Sequence, residues 1–360
     1  MKLTANFAAQ DRCFARAFDL LREGIAARAF PGCSLAAVHR GQLVASQGLG
    51  RFAYEPQSPE VTPQNVWDIA SITKIVATTT MAMILYERGL LDLDTPVEWI
   101  LREFRSDDPR REEVTVRTLL AHTSGLPSYV RLFEQARTRE ALLAAAYRTA
   151  LEAAPGERTE YSDIGFMVLG EVLARLADEP LEIFCAREIF GPLGMASTCF
   201  NPPAEWRPNI PPTENDETFR HRRIWGEVND ENASVMGGVA GHAGLFSSAG
   251  DLARFANSIL RRETVVRPET LRVFSQPHPA TSGSPRALGF DMPSQPSQSG
   301  QHFSPRSLGH LGFTGTSLWL DPERDLAIIL LSNRTWPDRQ SQEIKRVRPL
   351  VHDAVVEAIS

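Results

Sequence analysis

Ser71-Ile72-Thr73-Lys74 lies within a run of mostly apolar residues that extends from Trp67 to Tyr86. Such a run predicts a helix buried in a domain, and Glu87-Arg88-Gly89 predicts its end. Positions i and i+3 share a face of a helix, so the Lys74 amine can reach the Ser71 hydroxyl. Because a buried lysine loses proton affinity, the pair predicts a general base beside a nucleophile.

The same four residues also have a purely structural interpretation. A serine near a helix start can cap it, and a lysine there can lay its stem along apolar surface. The chain contains only three lysines, Lys2, Lys74 and Lys345, and only Lys74 has a serine three positions before it. The pattern therefore indicates a candidate nucleophile and base that needs support from the rest of the chain.

Composition restricts the class of protein. With 360 residues, 42% apolar content and a net charge of -6, the chain can form one large domain or two interlocked ones. Acidic and basic residues are mixed along it, so it lacks the basic stripe that nucleic-acid binding needs. Four cysteines without Cys-x-x-Cys spacing suggest neither a zinc site nor a redox motif. No cofactor or metal is implied.

The first residues predict a cytoplasmic protein. Charged side chains are spread through residues 1–29 and leave no apolar core for a secretory signal. No later uncharged apolar run reaches the roughly 20 residues that span a bilayer. Reduced thiols fit this compartment, whereas a leader removed beforehand would place the protein in the periplasm. The oligomeric state stays open.

The order of predicted elements indicates two units. Helix 9–29, strands 33–39 and 43–49, strands 317–320 and 326–332 and a last helix at 341–358 enclose a helix-rich middle. The middle contains helices predicted at 117–120, 140–154, 164–176 and 181–189. We therefore expect a discontinuous α/β domain from residues 1–65 and 230–360, a helical domain from residues 66–229, and a cleft between them.

Three irregular stretches have two interpretations each. Residues 201–217, which contain five prolines, and residues 291–306, rich in Ser, Pro and Gln, predict surface loops or a lid over the cleft. Residues 229–232 predict a solvated loop or a border of the cleft. Asp230 and Glu231 are not expected to act as a glycosidase pair, because adjacent residues rarely face each other.

Further motifs follow the lysine. Tyr161-Ser162-Asp163 stands just before an amphipathic helix, and Gly309-His310-Leu311-Gly312 stands just before the last pair of strands. Together with Ser71 and Lys74, this set resembles the serine β-lactamase and penicillin-binding-protein superfamily, in particular its class C-like, esterase-containing branch. Further segments that carry the resemblance are 119–127, 190–195, 241–247 and 331–334.

The resemblance implies a fold and four catalytic residues. The fold is α/β, with an antiparallel sheet flanked by the terminal helices, an all-helical domain, and the active site between them. Ser71 is implied as the nucleophile that forms an acyl-enzyme, Lys74 as its proton partner and Tyr161 as a second proton acceptor and donor. His310 stands where the family has Lys or His in its third motif.

Gly312 and Phe313 complete the implied site. Gly312 lets the strand backbone approach the substrate, and the N–H groups of Ser71 and Phe313 form the implied oxyanion hole. Two backbone donors oppose the charge that develops on a carbonyl oxygen, and the loss of such a donor costs about 10²-fold or more in rate.

The site departs from the best-known β-lactamases at two positions. Asp163 stands where they have Asn, and its carboxylate is expected to raise the pKa of Lys74, which makes Tyr161 the expected base. His310 replaces a lysine, so we expect little fixed positive charge for a substrate carboxylate. β-Lactams and D-Ala-D-Ala peptides both carry that carboxylate, and both departures weaken the expectation of an antibiotic hydrolase.

Two other histidines have open roles. His122, in a Thr-Ser-Gly turn, is expected to tie the turn by hydrogen bonds rather than to catalyse. His242 stands between Gly241 and Gly244, which imply close approach of the backbone, either to another segment or to a ligand. Both remain candidates for the site.

The sequence predicts a metal-independent serine hydrolase that acts through an acyl-enzyme at Ser71. Its expected substrate is a small ester, amide or peptide-like molecule, with carboxylesterase or amidase activity favoured. The alternative of the same class is a penicillin-binding D-Ala-D-Ala carboxypeptidase or weak β-lactamase. The alternative of another class is a non-catalytic binding member of the superfamily. Common hydrolase and nucleotide motifs such as Gly-x-Ser-x-Gly are absent from the sequence.

Overall fold

A computed structural model describes residues 3–261, 265–279 and 282–359. Its strands are β1 Thr4–Ala5, β2 Gly32–His39, β3 Gln42–Gly50, β4 Val66–Asp68, β5 Cys199–Phe200, β6 Glu214–Asp216, β7 Arg222–Ile224, β8 Leu245–Ser248, β9 Leu308–Leu311, β10 Ser317–Asp321 and β11 Leu326–Ser332. Its α-helices are α1 Gln10–Cys13, α2 Ala15–Ala26, α3 Thr80–Glu87, α4 Val97–Ile100, α5 Val116–Leu120, α6 Arg139–Arg148, α7 Asp163–Ala177, α8 Leu181–Cys185, α9 Gly191–Leu193, α10 Glu231–Val235, α11 Ala249–Arg261, α12 Pro268–Phe274 and α13 Ile344–Ile359.

A six-stranded sheet joins the two ends of the chain. Its strand order is β1-β3-β2-β11-β10-β9, and every pair is antiparallel except β1 with β3. Because side chains alternate along a strand, β11 sends Ile328 and Leu330 to the terminal helices α2 and α13. Ile329 and Leu331 face the other side and join the larger core. The mixed α/β architecture expected from the sequence is confirmed.

The larger core continues from the sheet into the helices. One connected set of buried side chains includes Ile329 on β11, Ala253 on α11 and Leu169 on α7. Buried contacts cross the predicted boundary between the two units. The division into residues 1–65 with 230–360 and residues 66–229 therefore stays a prediction. In the described part of the chain, no helix is long and apolar enough to cross a membrane.

The helix predicted from Trp67 to Tyr86 begins later than expected. Val66–Asp68 is strand β4, which pairs with β8, and a 3₁₀ turn at Ala70–Ile72 and a π-helical segment at Lys74–Thr79 precede α3. An apolar run that is buried on all sides does not by itself distinguish a strand from a helix. The prediction was wrong for the first residues of this segment.

Helix α6 is shorter than predicted, and Arg111 binds its carbonyl end. The guanidinium donates hydrogen bonds to the carbonyl oxygens of Tyr147, at 2.7 Å, and Thr149, at 2.5 Å. These bonds satisfy carbonyl groups that a longer helix would satisfy internally.

The backbone of α7 packs directly against the backbone of the segment before His242. A Cβ added to Gly241 would lie 2.1 Å from the carbonyl oxygen of Phe166 and 3.0 Å from the Cα of Gly170. Thr78 donates to the carbonyl of Gly241 at 2.6 Å. Gly241 therefore sets the distance between α7 and the segment that carries His242.

We predict that Gly241→Ala destabilises the protein by about 1–3 kcal/mol, because overpacking forces the backbones apart. Gly250→Ala on α11 is the matched control, since a Cβ there would have no atom closer than 3.9 Å. Urea unfolding of both variants measures the difference. Equal stabilities would contradict the inferred close packing at Gly241.

Candidate active site

Ser71 and Lys74 meet Tyr161 at the start of the buried segment. Lys74 Nζ lies 2.9 Å from Ser71 Oγ and 2.7 Å from Tyr161 Oη, and the two hydroxyl oxygens are 2.7 Å apart. Thr73 fixes this turn by donating to the carbonyl of Ala70 at 2.6 Å. The structure thus brings together the three residues that the sequence analysis placed in one site.

Lys74 has two further neighbours that can only accept hydrogen bonds. These are the Asp163 carboxylate, at 2.6 Å, and the carbonyl oxygen of His242, at 3.0 Å. Burial lowers the pKa of Lys74, although Asp163 opposes this effect. A neutral amine has two N–H groups and one lone pair. If Asp163 and the His242 carbonyl take the N–H groups, the lone pair is left for the hydroxyls of Ser71 and Tyr161.

Tyr161 is protonated at neutral pH. Burial, together with the nearby Asp163 carboxylate, raises the pKa of Tyr161 well above its usual value. Its hydroxyl lies 2.9 Å from Asp163 Oδ1 and can donate to it. Burial and the Asp163 carboxylate both disfavour the phenolate, so the pKa direction does not support Tyr161 as the base at neutral pH, and its role in proton transfer stays a prediction.

His310, on the edge strand β9, is a neutral imidazole. Burial lowers the pKa of His310, although Asp291 opposes this. Nδ1 lies 2.8 Å from the carbonyl oxygen of Leu311, which can only accept, so Nδ1 carries the proton. Nε2 is then an acceptor, and it has no hydrogen-bond partner among the described residues. The ring lies beside Tyr161, with centroids 5.9 Å apart.

Gly312 allows β9 to approach the turn that carries Ser71. A Cβ at Gly312 would lie 1.9 Å from Thr316 Oγ1 and 2.6 Å from the carbonyl oxygen of Ile69. Phe313 follows on the cleft wall, with its side chain 47% exposed. The oxyanion-hole role of the Ser71 and Phe313 N–H groups stays a prediction.

The two remaining histidine candidates differ in position. His242 borders the cleft, and its Nε2 lies 2.9 Å from Asp230 Oδ1. His122 is buried outside the cleft lining, where its Nδ1 accepts the Ser162 N–H at 2.9 Å and its ring lies 4.9 Å from that of Tyr161. Its contacts hold the Tyr161 turn rather than reach the cleft.

The loop at 229–232 is not solvated. Asn229, Glu231 and Asn232 are buried, and Asp230 caps α10 by accepting the Ala233 N–H at 2.7 Å. The expectation of a solvated loop was therefore wrong, and the alternative of a cleft border is what the structure shows.

The two long irregular stretches each send a carboxylate to the cleft region. Glu214, from residues 201–217, pairs with Arg339 at 2.5 Å. Asp291, the first residue of 291–306, pairs with Arg286 and joins the edge of β9 through two backbone hydrogen bonds with Gly309, at 2.8 and 2.9 Å. Neither stretch is only a surface loop.

The cleft lining contains cationic side chains that the sequence analysis did not expect, together with the carboxylates of Asp163, Asp230, Glu231 and Asp291. The volume of the cleft is about 540 Å³, and its lining includes five cationic side chains: Arg286, Arg334, Arg339, Lys345 and Arg348. These cationic residues come from separate parts of the chain and meet only on folding. Arg286 and Arg339 pair with carboxylates, so the expectation of little fixed positive charge is put in doubt mainly by Arg334 and Arg348. Arg334 ends the segment 331–334 and was the one with a sequence signal.

Comparisons with known proteins assign the chain to a family. The family model described as Beta-lactamase matches residues 17–352. The chain belongs to the beta-lactamase family. It is a serine hydrolase of that family.

Two relatives have sequences similar to this chain. A putative D-alanyl-D-alanine carboxypeptidase of Escherichia coli O157:H7 is 30% identical over 343 residues, which cover 85% of this chain and 79% of the relative. An N-acetylmuramyl-L-alanine amidase of Bacillus subtilis is 30% identical over 358 residues, which cover 89% of this chain and 80% of that protein.

Solved structures share the fold at lower identity. EstCE1, described as a hydrolase with promiscuous acyltransferase activity, has a TM-score of 0.78 at 22% identity, with 96% of this chain and 99% of the other covered. A class C beta lactamase from Rhodobacter sphaeroides has a TM-score of 0.75 at 20% identity, with coverage of 96% and 99%. These likenesses confirm the β-lactamase-like fold.

We predict that Asp163→Asn moves the acid limb of the kcat/KM profile to lower pH. Removing the carboxylate removes the interaction that raises the pKa of Lys74, so the amine becomes neutral at a lower pH. A pH profile of ester hydrolysis by both proteins measures the shift. An acid limb that stays in place, or moves upward, would rule out the coupling between Asp163 and Lys74.

Proposed function

We propose that this hydrolase cleaves an acyl bond through an acyl-enzyme on Ser71, with Lys74 as the proton acceptor. The observation that carries the proposal is the contact of the buried Lys74 amine with Ser71 Oγ, at 2.9 Å. Burial lowers the pKa of Lys74 and so favours the neutral amine. A neutral amine next to a hydroxyl activates a serine nucleophile.

The proposed acylation step conserves protons. Ser71 Oγ bonds to the carbonyl carbon of the substrate while its proton passes to Lys74. The bond to the leaving group then breaks, and the leaving group takes a proton from Lys74 through the Tyr161 hydroxyl, 2.7 Å away. Water subsequently attacks the ester on Ser71 with the same residues in reverse roles.

We propose further that the preferred substrate carries a carboxylate, as a D-alanyl-D-alanine peptide does. Arg334 and Arg348 both line the cleft, are buried, and form no ion pair within the described ranges. Burial and the charge of Arg334 lower the pKa of Arg348 to about 9. Two buried guanidinium groups without a carboxylate favour binding of an anion. The name of the Escherichia coli relative, a putative D-alanyl-D-alanine carboxypeptidase, supports the same substrate class.

A carboxylesterase is the second candidate. The neutral His310 supports it, because the third-motif position here offers a hydrogen-bond acceptor in place of a lysine charge. A neutral ester needs no anion site, whereas a carboxylate-terminated peptide does. The two candidates therefore differ in how turnover depends on a charge at the end of the substrate.

A matched pair of substrates tests the proposal. Acyl-D-Ala-D-Ala and its C-terminal amide differ only in the carboxylate. We predict that wild type prefers the acid, that Arg334→Gln lowers kcat/KM for the acid by about 10- to 100-fold, and that it leaves the amide within about threefold. Arg175→Gln, at an exposed side chain on α7, is the control, and Ser71→Ala should abolish turnover.

Four outcomes separate the alternatives. Equal use of acid and amide would reject the carboxylate preference, and turnover of a simple ester with neither peptide cleaved would support the carboxylesterase. Activity retained by Ser71→Ala would reject the acyl-enzyme at this residue. No turnover of any ester or peptide by wild type would favour a non-catalytic binding protein.

A further inference from the structure

The backbone immediately before Ser71 adopts a conformation that it would not take by itself. Ala70 has a φ of 46°, in the left-handed region that costs a residue with a Cβ about 1 kcal/mol or more. The neighbouring residue in the chain is the proposed nucleophile. Some surrounding interaction must therefore hold Ala70 in place, because relaxation of this residue would turn Ser71 away from its partners.

The Asp68 carboxylate makes that interaction. Its Oδ1 accepts the N–H of Ala70 at 2.8 Å, and its Oδ2 accepts the N–H of Asn229 at 2.7 Å. The side chain is buried, with 2% of the residue exposed. One carboxylate thus joins the nucleophile turn to the start of the loop at 229–232.

The N–H of Asn229, the second donor to Asp68, belongs to a segment on the opposite side of Lys74. Asn229 precedes Asp230, which lies 2.9 Å from His242 Nε2, and the carbonyl of His242 accepts from Lys74 at 3.0 Å. Asp68 therefore touches both segments that fix the Lys74 amine and the Ser71 hydroxyl relative to each other.

The sheet holds the same turn through its carbonyl groups. Thr314 Oγ1 donates to the carbonyl of Asp68 at 2.8 Å, and Thr316 Oγ1 donates to the carbonyl of Ile69 at 3.1 Å. The threonines hold the turn against the strand edge, but they do not reach the N–H of Ala70. Thr73 holds the carbonyl group of the left-handed residue, whereas its N–H is held by the Asp68 carboxylate.

We propose that ionised Asp68 is a positioning residue, which holds the strained Ala70 turn and the Asn229 loop in the arrangement that lets Lys74 take the proton of Ser71. A protonated carboxyl has one oxygen committed as an O–H donor, so it no longer accepts equally from two N–H groups. Neutralising Asp68 then loosens one of the two segments. The inference rests on the proposed role of Ser71 as nucleophile.

Asp68 titrates within an accessible range. Burial raises the pKa of Asp68 to about 6, although the N–H groups of Asn229 and Ala70 oppose this. The charged groups that face it are Asp230, which raises the pKa, and Arg220, which lowers it. Because the pKa is higher in the folded state than in the unfolded state, the contribution of Asp68 to stability falls as the pH rises from about 4 to about 6.

The pH dependence of stability distinguishes a positioning role of Asp68 from a purely structural role. A residue that acted only by stabilising the fold would change kcat in parallel with stability. Here kcat is expected to rise through about pH 6 while the contribution of Asp68 to stability declines over the same range. Activity and stability therefore move in opposite directions when the same carboxyl group ionises.

The test compares Asp68→Asn with Asp251→Asn. Asp251 is also buried and accepts a backbone N–H, from Ser197 at 2.7 Å, but it stands at the start of α11, outside the cleft lining. For both variants, urea unfolding measures stability, and hydrolysis of p-nitrophenyl acetate measures kcat as a function of pH. We expect Asp68→Asn to lower kcat by about 10- to 100-fold with KM nearly unchanged, and to lose the limb near pH 6. Asp251→Asn should keep the wild-type kcat.

Each result has a separate meaning. Labelling of Ser71 by a fluorophosphonate in wild type, read by mass spectrometry, checks the nucleophile itself, and absence of the label would reject the proposed function. With Ser71 labelled, a wild-type kcat and limb in Asp68→Asn would overturn the positioning role. If Asp68→Asn does not fold, wild type is followed between about pH 5 and pH 8 by kcat and circular dichroism. A kcat that stays flat down to about pH 5 would overturn the proposal.

Discussion

The site depends on the burial of one ammonium group. Lys74 is fully buried, and removing a charge from water is costly unless hydrogen bonds or a counter-charge compensate for it. Four groups surround its Nζ atom: Ser71 Oγ, Tyr161 Oη, Asp163 Oδ1 and the His242 carbonyl. Burial favours the neutral amine and Asp163 favours the charged one. The balance between these effects sets the pH at which the proposed base is available.

The four groups come from three separate parts of the fold. Tyr161 and Asp163 stand at the N-terminus of α7, where Ser162 caps the helix by accepting from Gly165 at 2.9 Å. His242 can approach Lys74 because Gly241 lets its segment touch α7. The sheet edge at Gly312 closes the other side of the Ser71 turn. The helices and strands thus serve to deliver these groups to one point.

Sequence patterns predicted the local parts well. The strands β2 and β11, the terminal helices α2 and α13, and the helix after Tyr161 were all predicted from residue patterns within one segment. The set Ser71, Lys74, Tyr161 and His310 came from short motifs in a fixed order, and the structure brings them together. The family and the fold were recognised from those motifs and are confirmed.

Long-range electrostatics were not predictable in the same way. Tertiary packing alone brings Arg286, Arg339 and Arg348 to the cleft. No sequence motif therefore marked them as residues of the site. The effect of Asp163 on the pKa values of both Lys74 and Tyr161 could likewise be inferred only from distances in the structure. Asp68 gave no signal because its role depends on Asn229, which lies 161 positions away along the chain. Such contacts have no period or spacing that a sequence pattern can show.

The measurement that tests the central claim most directly is the pKa of Lys74 itself. The chain has only three lysines, so isotope labelling of lysine gives three resonances, and Lys74→Arg identifies the one from the site. A nuclear magnetic resonance titration of the side-chain carbon next to the amine is predicted to show Lys74 with a pKa below the ordinary 10.5. A Lys74 pKa at or above that value would contradict the account, because the lysine would then remain charged and could not accept the proton of Ser71.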